Sequence, residues 1–103
     1  MHFLMLCRHR SGVDALRDET RPAHRAHVAS GGNGLVRVLI GSGLANETGQ
    51  RNGNFGILEA QSLADAKSFA EADPFNVAGV VEAIEVLPIA EGFPADRILA
   101  PSS

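Results

Sequence analysis

The residues in this chain best suited to chemistry are a histidine and a carboxylate, each set at a marked point. His24 lies in the run Arg21-Pro22-Ala23-His24 and Asp73 in the run Ala72-Asp73-Pro74-Phe75. An imidazole titrates near ~6.5 and a carboxylate near ~3.9, so at neutral pH a charged Asp73 can orient a mostly neutral His24 as a base. A base held in this way suits proton abstraction beside a carbonyl, followed by loss of a leaving group or migration of a bond. Positioned acid–base catalysis of this kind typically contributes about 10²–10⁴-fold. Arg21 is available to steady an anionic group, and Ser42 or the backbone near it to hydrogen-bond one; Phe75 completes the expected substrate-contacting set. The plainer alternative is that His24 and Asp73 bond to each other only to fasten a helix end and its turn. His24 and His27, three residues apart, lack a settled third ligand, so no metal is expected.

The elements that must position these groups follow from the chain's punctuation. The ring of Pro74 pushes Asp73 out of the α region, so a helix arriving there stops. That helix starts at Ser62, with Asp65 in a capping-box-like position, and carries Leu63, Ala66, Phe69 and Ala70 on one face and Lys67 and Glu71 on the other. Upstream, residues 13–31 read as helix with an interruption. Asp14 caps a short first turn, and Pro22 opens a fresh helix, where its missing N–H costs nothing. Gly31-Gly32-Asn33-Gly34 then ends it. Its inner face, Ala23, Ala26 and Val28 with His24 or His27, is thin for a packing helix, which points to a pocket.

Four strands are expected. Residues 2–8 form an apolar run with Cys7 as a small core residue and His9 solvated or at a rim. Residues 35–40 are rich in β-branched side chains. A polar loop through Asn46–Asn54 leads to residues 55–60. Residues 80–87 close the set, with Val80, Glu82, Ile84 and Val86 on one face and Val81, Ala83, Glu85 and Leu87 on the other. Gly41-x-Gly43 lacks the third glycine and the following helix of a nucleotide loop, and reads instead as a bulge or a close backbone approach at a pocket edge. The order is βαββαβ, the ferredoxin-like α+β pattern, with two helices on one face of a four-stranded antiparallel sheet. Both faces of the last strand are largely apolar, so the uncovered face is expected to pair with a second copy in a homodimer. Residues 1–89 form the domain and residues 90–103 an arm, with Phe93, Ile98 and Leu99 able to pin it to a neighbour.

Composition narrows the function classes. The net charge of −3 and the absence of Trp and Tyr argue against nucleic acid as a partner. No apolar stretch reaches membrane-spanning length, and the opening run is too short for a signal peptide. A single cysteine excludes an internal disulfide and a cysteine-based zinc site, so a soluble cytoplasmic domain is expected.

The set Arg21-Pro22-Ala23-His24, Gly34, Gly41-Ser42, Glu59-Ala60-x-Ser62-Leu63-x-x-Ala66, Ala72-Asp73-Pro74-Phe75, Ala78-Gly79 and Leu87-Pro88 resembles the YCII-related (YciI-like) family over residues 2–89. The resemblance implies a dimeric α+β barrel, two ferredoxin-like units joined through their sheets. It also implies a catalytic His–Asp pair, here His24 and Asp73, and kinship with a dehydrochlorinase acting on a ring compound. Ser42 stands where the family commonly has proline, and the tail after residue 89 is extra. Two functions follow: a cofactor-independent lyase or isomerase acting on a small anionic or carbonyl-containing molecule, or a non-catalytic small-molecule-binding or accessory homodimer.

Overall fold

Side-chain alternation in the first strand decides how the layers stack. In the computed structural model, which describes residues 1–98, β1 (His2–His9) buries Phe3, Met5, Cys7 and His9 and leaves His2, Leu4, Leu6 and Arg8 on the other face. The chain continues through α1 (Asp14–Gly34), β2 (Val36–Ala45), β3 (Arg51–Ala60), α2 (Leu63–Ala72), a short α3 (Pro74–Val77) and β4 (Val81–Pro88). The four strands are antiparallel in the order β2-β3-β1-β4, so β1 and β3 sit at the centre. This is the expected ferredoxin-like α+β fold.

The core lies between the sheet and the helices. Phe3, Leu58, Phe69 and Val80 are fully buried, with Ala66 and Ala70 of α2 packed among them. Ser62 caps α2 as expected, its hydroxyl accepting the Asp65 N–H at 3.1 Å. Truncating a ring such as Phe69 in this setting typically costs about 3–5 kcal/mol.

Several elements depart from the sequence reading. Pro22 lies inside one continuous α1 and does not open a second helix, and Val13, with no side-chain cap, precedes it; Asp14 instead accepts from Arg17 at 2.8 Å. An interior proline leaves the Asp18 carbonyl without its helical N–H, at a cost of about 3 kcal/mol. The helix runs through because Pro22 is on the solvent side and the inner face is pinned along its length, Arg17 to His9, His24 to Asp73 and His27 to the Phe69 carbonyl. Ala23 and Ala26, expected inside, are exposed. Helical geometry then reverses: Gly31, Gly32 and Asn33 have φ of 61°, 64° and 62°. A side chain on Gly31 would run into the Val36 carbonyl, so glycine is required there.

Strands β2 and β3 are longer than expected. They pair through Gly41, Ser42 and Gly43 and leave only a tight turn between Asn46 and Gln50, whose backbone is held by the Asn46 side chain. The register skips Leu39, so a bulge lies beside the glycines. A second bulge, at Glu82, brings Val81 to the inner face with Ile84 and Val86, where strict alternation would have put it outside. The opposite sheet face carries Leu4, Leu6, Ile40, Phe55, Ile57 and Leu87 by register, and Ile40 and Leu87 are 48% and 44% exposed. After β4, the Ile89 N–H donates to the His2 carbonyl at 2.9 Å and the Phe93 ring sits 5.3 Å from that of His2. Leu99 and the rest of the expected arm to residue 103 lie outside the described residues.

Candidate active site

Two helices deliver the histidine and the carboxylate to one point. Asp73 links α2 to α3. Proline at the next position fixes its backbone, and its Oδ1 accepts the Phe75 N–H at 2.9 Å as the cap of α3. The residue is 2% exposed. His24, well inside α1, meets it from the other side: Nδ1 lies 2.8 Å and 2.9 Å from the two carboxylate oxygens. A carboxylate can only accept, so Nδ1 carries the proton and Nε2 is left with its lone pair. Among the described residues, Nε2 has no protein partner. The Phe75 ring stacks on the imidazole at 4.0 Å, with an interplanar angle of 11°, and limits its rotation.

A second polar cluster stands beside the first. His9, at the inner end of β1, is 8% exposed and meets the Phe75 ring edge-on at 5.5 Å. Arg17 Nε–H donates to His9 Nδ1 at 3.1 Å, which leaves the proton on Nε2, 2.7 Å from Asn54 Oδ1. Burial above all, with the charges of Arg17 and His24, holds His9 below the usual imidazole range, against the Asn54 hydrogen bond and the field of Asp73. Its neighbour Cys7 is pushed up to about 12, by burial first and by Asp73 second, so its thiol stays protonated and inert.

Both clusters border one cavity of about 450 Å³ between α1 and the β2–β3 hairpin. Its space comes from missing side chains. Gly41 pairs with Gly56, and Gly43 with Asn54, at register positions facing α1, so three of the inward sites on the hairpin carry no Cβ. The roof is the α1 stripe Arg17, Arg21, His24, Arg25 and Val28, spaced as one helical face, with Met5, Val38 and Phe69 giving apolar walls. That volume suits a ligand of one substituted ring.

Of the residues expected at the site, the structure places His24 against Asp73 and Phe75, and Arg21 along the same cavity. Arg21 borders the cavity and donates to Asp18 at 2.7 Å. Ser42 differs. It pairs with Phe55 on the sheet face away from α1, and its hydroxyl donates to the Gly43 carbonyl at 3.0 Å. It borders the cavity at the strand, with the hydroxyl already engaged. His27 donates Nε2–H to the Phe69 carbonyl at 2.9 Å, so both candidate metal histidines are bonded to protein, and no group of three potential ligands occurs among the described residues. Sequence reasoning did not place Arg17, Arg51, Asn54 or Gly56 here. Arg17 was accessible through its helical spacing to Arg21 and His24.

The fold and the pocket define a small ferredoxin-like α+β protein built around a ring-sized cavity with a carboxylate-braced histidine. The chain belongs to the YCII-related domain family, whose family model matches residues 1–90. Among solved structures it is similar to 5-chloro-2-hydroxyhydroquinone dehydrochlorinase (TftG) from Burkholderia phenoliruptrix AC1100, determined in complex with 2,5-dihydroxybenzoquinone. The identity is 28% over 89% of this chain and 96% of that one, with a TM-score of 0.72. Protein Atu4242 from Agrobacterium tumefaciens is a looser match, 18% identical over 90% of this chain and 96% of that one, with a TM-score of 0.39. No curated protein matches. Among the described residues no helix is long and apolar enough to cross a membrane.

Proposed function

We propose that this protein is a cofactor-independent enzyme of the lyase or isomerase type, in which His24 is the general base and Asp73 the residue that orients it. The observation that carries this is the contact of His24 Nδ1 with both oxygens of the buried Asp73, 2.8 Å and 2.9 Å away, at the wall of a cavity. That contact fixes the tautomer whose free Nε2 can take a proton. The likeness to a dehydrochlorinase supports, as substrate class, a small ring compound bearing carbonyl or ionised hydroxyl groups. Nε2 removes a proton from the carbon beside a carbonyl, and the C–H electron pair moves into the ring as an enolate with its charge on oxygen. Return of that charge re-forms the carbonyl and expels a leaving group such as chloride, or the proton returns at another carbon. The imidazolium formed is stabilised by Asp73, and Arg21 and Phe75 contact the ring. Residues 1–89 are the catalytic unit and residues 90–103 an arm. Two copies pair through the apolar outer sheet face.

The test is chloride release from 5-chloro-2-hydroxyhydroquinone, with product formation followed by absorbance. His24→Ala and Asp73→Asn are each expected to lower kcat by about a hundredfold or more. In Asp73→Asn the new carboxamide retains the cap but presents an N–H to Nδ1, which moves the imidazole proton to Nε2 and blocks the base. Circular dichroism and binding of 2,5-dihydroxybenzoquinone check that fold and pocket persist. Unchanged turnover in both variants overturns the assignment of His24 and Asp73, and a wild type that binds 2,5-dihydroxybenzoquinone without turnover favours the alternative of a non-catalytic binding homodimer.

A further inference from the structure

The lining of the cavity is strongly one-sided in charge. It includes Arg17, Arg21, Arg25 and Arg51 and, among the described residues, not one Asp or Glu, in a chain whose overall charge is −3. Two of these arginines have carboxylate partners, and both partners point to solvent: Asp14 and Asp18 have side chains 89% and 71% exposed. Ion pairs with solvated carboxylates offset little of a cation's field inside a cavity. Arg25 and Arg51 have no ion pair among the described residues.

Arg17 is the unusual member. It is 4% exposed, yet among the described residues it meets only three protein acceptors, His9 Nδ1, Asp14 Oδ1 and, at 3.4 Å, the Arg51 carbonyl. A guanidinium carries more N–H groups than that. Its position is fixed by His9, itself held by Asn54. Arg51 reaches the same region from β3, with its guanidinium lying over Gly43. Arg17 and His24 are two helical turns apart, which is about 10 Å along a helix axis. The α1 stripe therefore carries Arg17 and Arg21 on one side of His24, and Arg25 and then Val28 on the other.

We propose that the cavity is a receptor for a planar ring-borne oxyanion, with Arg17 and Arg51 as the specificity-determining cations at the end away from Val28 and His9–Asn54 as the pair that positions Arg17. This rests on the reading of the cavity as a substrate site and adds the requirement that the substrate be an anion. The oxyanion is a ring carboxylate or an ionised ring hydroxyl; both present coplanar oxygens to a guanidinium fork. Bound there, the ring spans toward His24 with its anionic edge held at the far end. In the enolate-forming step the same cations lie beside the growing negative charge.

The experiment is calorimetric titration of the full chain with three probes: 2,5-dihydroxybenzoquinone, 2,5-dihydroxybenzoate and hydroquinone, the last uncharged at neutral pH. At least one anionic ring should bind about tenfold more tightly than hydroquinone, and raised salt should weaken it. Which anion binds separates the ring-hydroxyl source from the carboxylate source. Arg51→Gln should abolish the preference. So should Gly43→Ala, whose added methyl would lie 2.6 Å from the Arg51 guanidinium and displace it without removing its charge. Arg51 is exposed, so its variant leaves the fold intact. No anion binding at millimolar concentration, equal affinity for hydroquinone, or anion preference unmoved in both variants overturns the proposal. His24→Ala separates the two readings. Lost turnover is the mark of the catalytic one, and anion affinity retained in the same variant is the mark of this one.

Discussion

The two cavity histidines are held in opposite tautomers by their partners. His24 meets a carboxylate and keeps its proton on Nδ1; His9 meets a guanidinium and keeps its proton on Nε2. This gives His9 a pH signature. Folding holds it below the ordinary value near ~6.5, so the unfolded chain binds that proton more readily than the folded one. The stabilising effect of neutral His9 is thus intact above about pH 6.5 and declines as pH falls through that value towards the lowered folded one. Urea unfolding midpoints measured from about pH 7.5 down to about 5 should fall less steeply in His9→Gln than in the wild type; equal slopes would remove His9 as the cause. At this scale the sequence was partly legible. Asp73 announced itself because proline marks a helix end, and His24 because so little else on its helix was apolar. His9, expected to be solvated or at a rim, lines the cavity and is buried there, because two residues distant in sequence take up its polarity, Arg17 by 8 and Asn54 by 45.

At the scale of elements, Pro22 separates what was legible from what was not. A reading that starts a new helix at Pro22 cuts the stripe of Arg17, Arg21, His24, Arg25 and Val28 in two, and with it the cationic end of the cavity. Local propensity favours the break; contacts with β1 and α2 along the whole inner face override it. Pro22→Ala restores an N–H to the Asp18 carbonyl. It should raise the urea midpoint, by less than the roughly 3 kcal/mol that an interior proline costs, since alanine also frees the unfolded chain. A lowered midpoint would mean that the ring itself supports α1. Similarly, β2 and β3 extend beyond their β-branched segments, because ladder hydrogen bonds carry Gly41 to Gly43 where side-chain preference does not. By contrast, the stop at Asp73, the cap at Ser62 and the apolar face of α2 were all readable, since each is set by residues within a few positions of one another.

The whole molecule presents helices on one side of its sheet and a row of apolar side chains on the other. Alternation in β1 and the order of elements made the ferredoxin-like fold legible; the bulge at Leu39 lies beside the Gly41-x-Gly43 pair that pointed to one, whereas the bulge at Glu82, which no local pattern marks, shifted the faces of β4. The proposed homodimer covers the open face. Sedimentation equilibrium of the wild type at micromolar concentration is expected to give twice the mass of the 10.8 kDa chain. Ile40→Lys, at a site already 48% exposed, should shift the population to monomer without harming the fold; a wild-type monomer would sink the pairing. Because the cavity floor is made by absent side chains, its capacity is set by single carbons and is open to tuning. A methyl at Gly56 would meet Met5 at 3.4 Å and Leu58 at 3.5 Å, an ordinary contact, whereas one at Gly41 would press on the Phe55 carbonyl at 3.1 Å. Gly56 is thus the position from which selection, natural or in the laboratory, can step the admitted ring down in size while leaving the histidine, its carboxylate and the arginines where they stand.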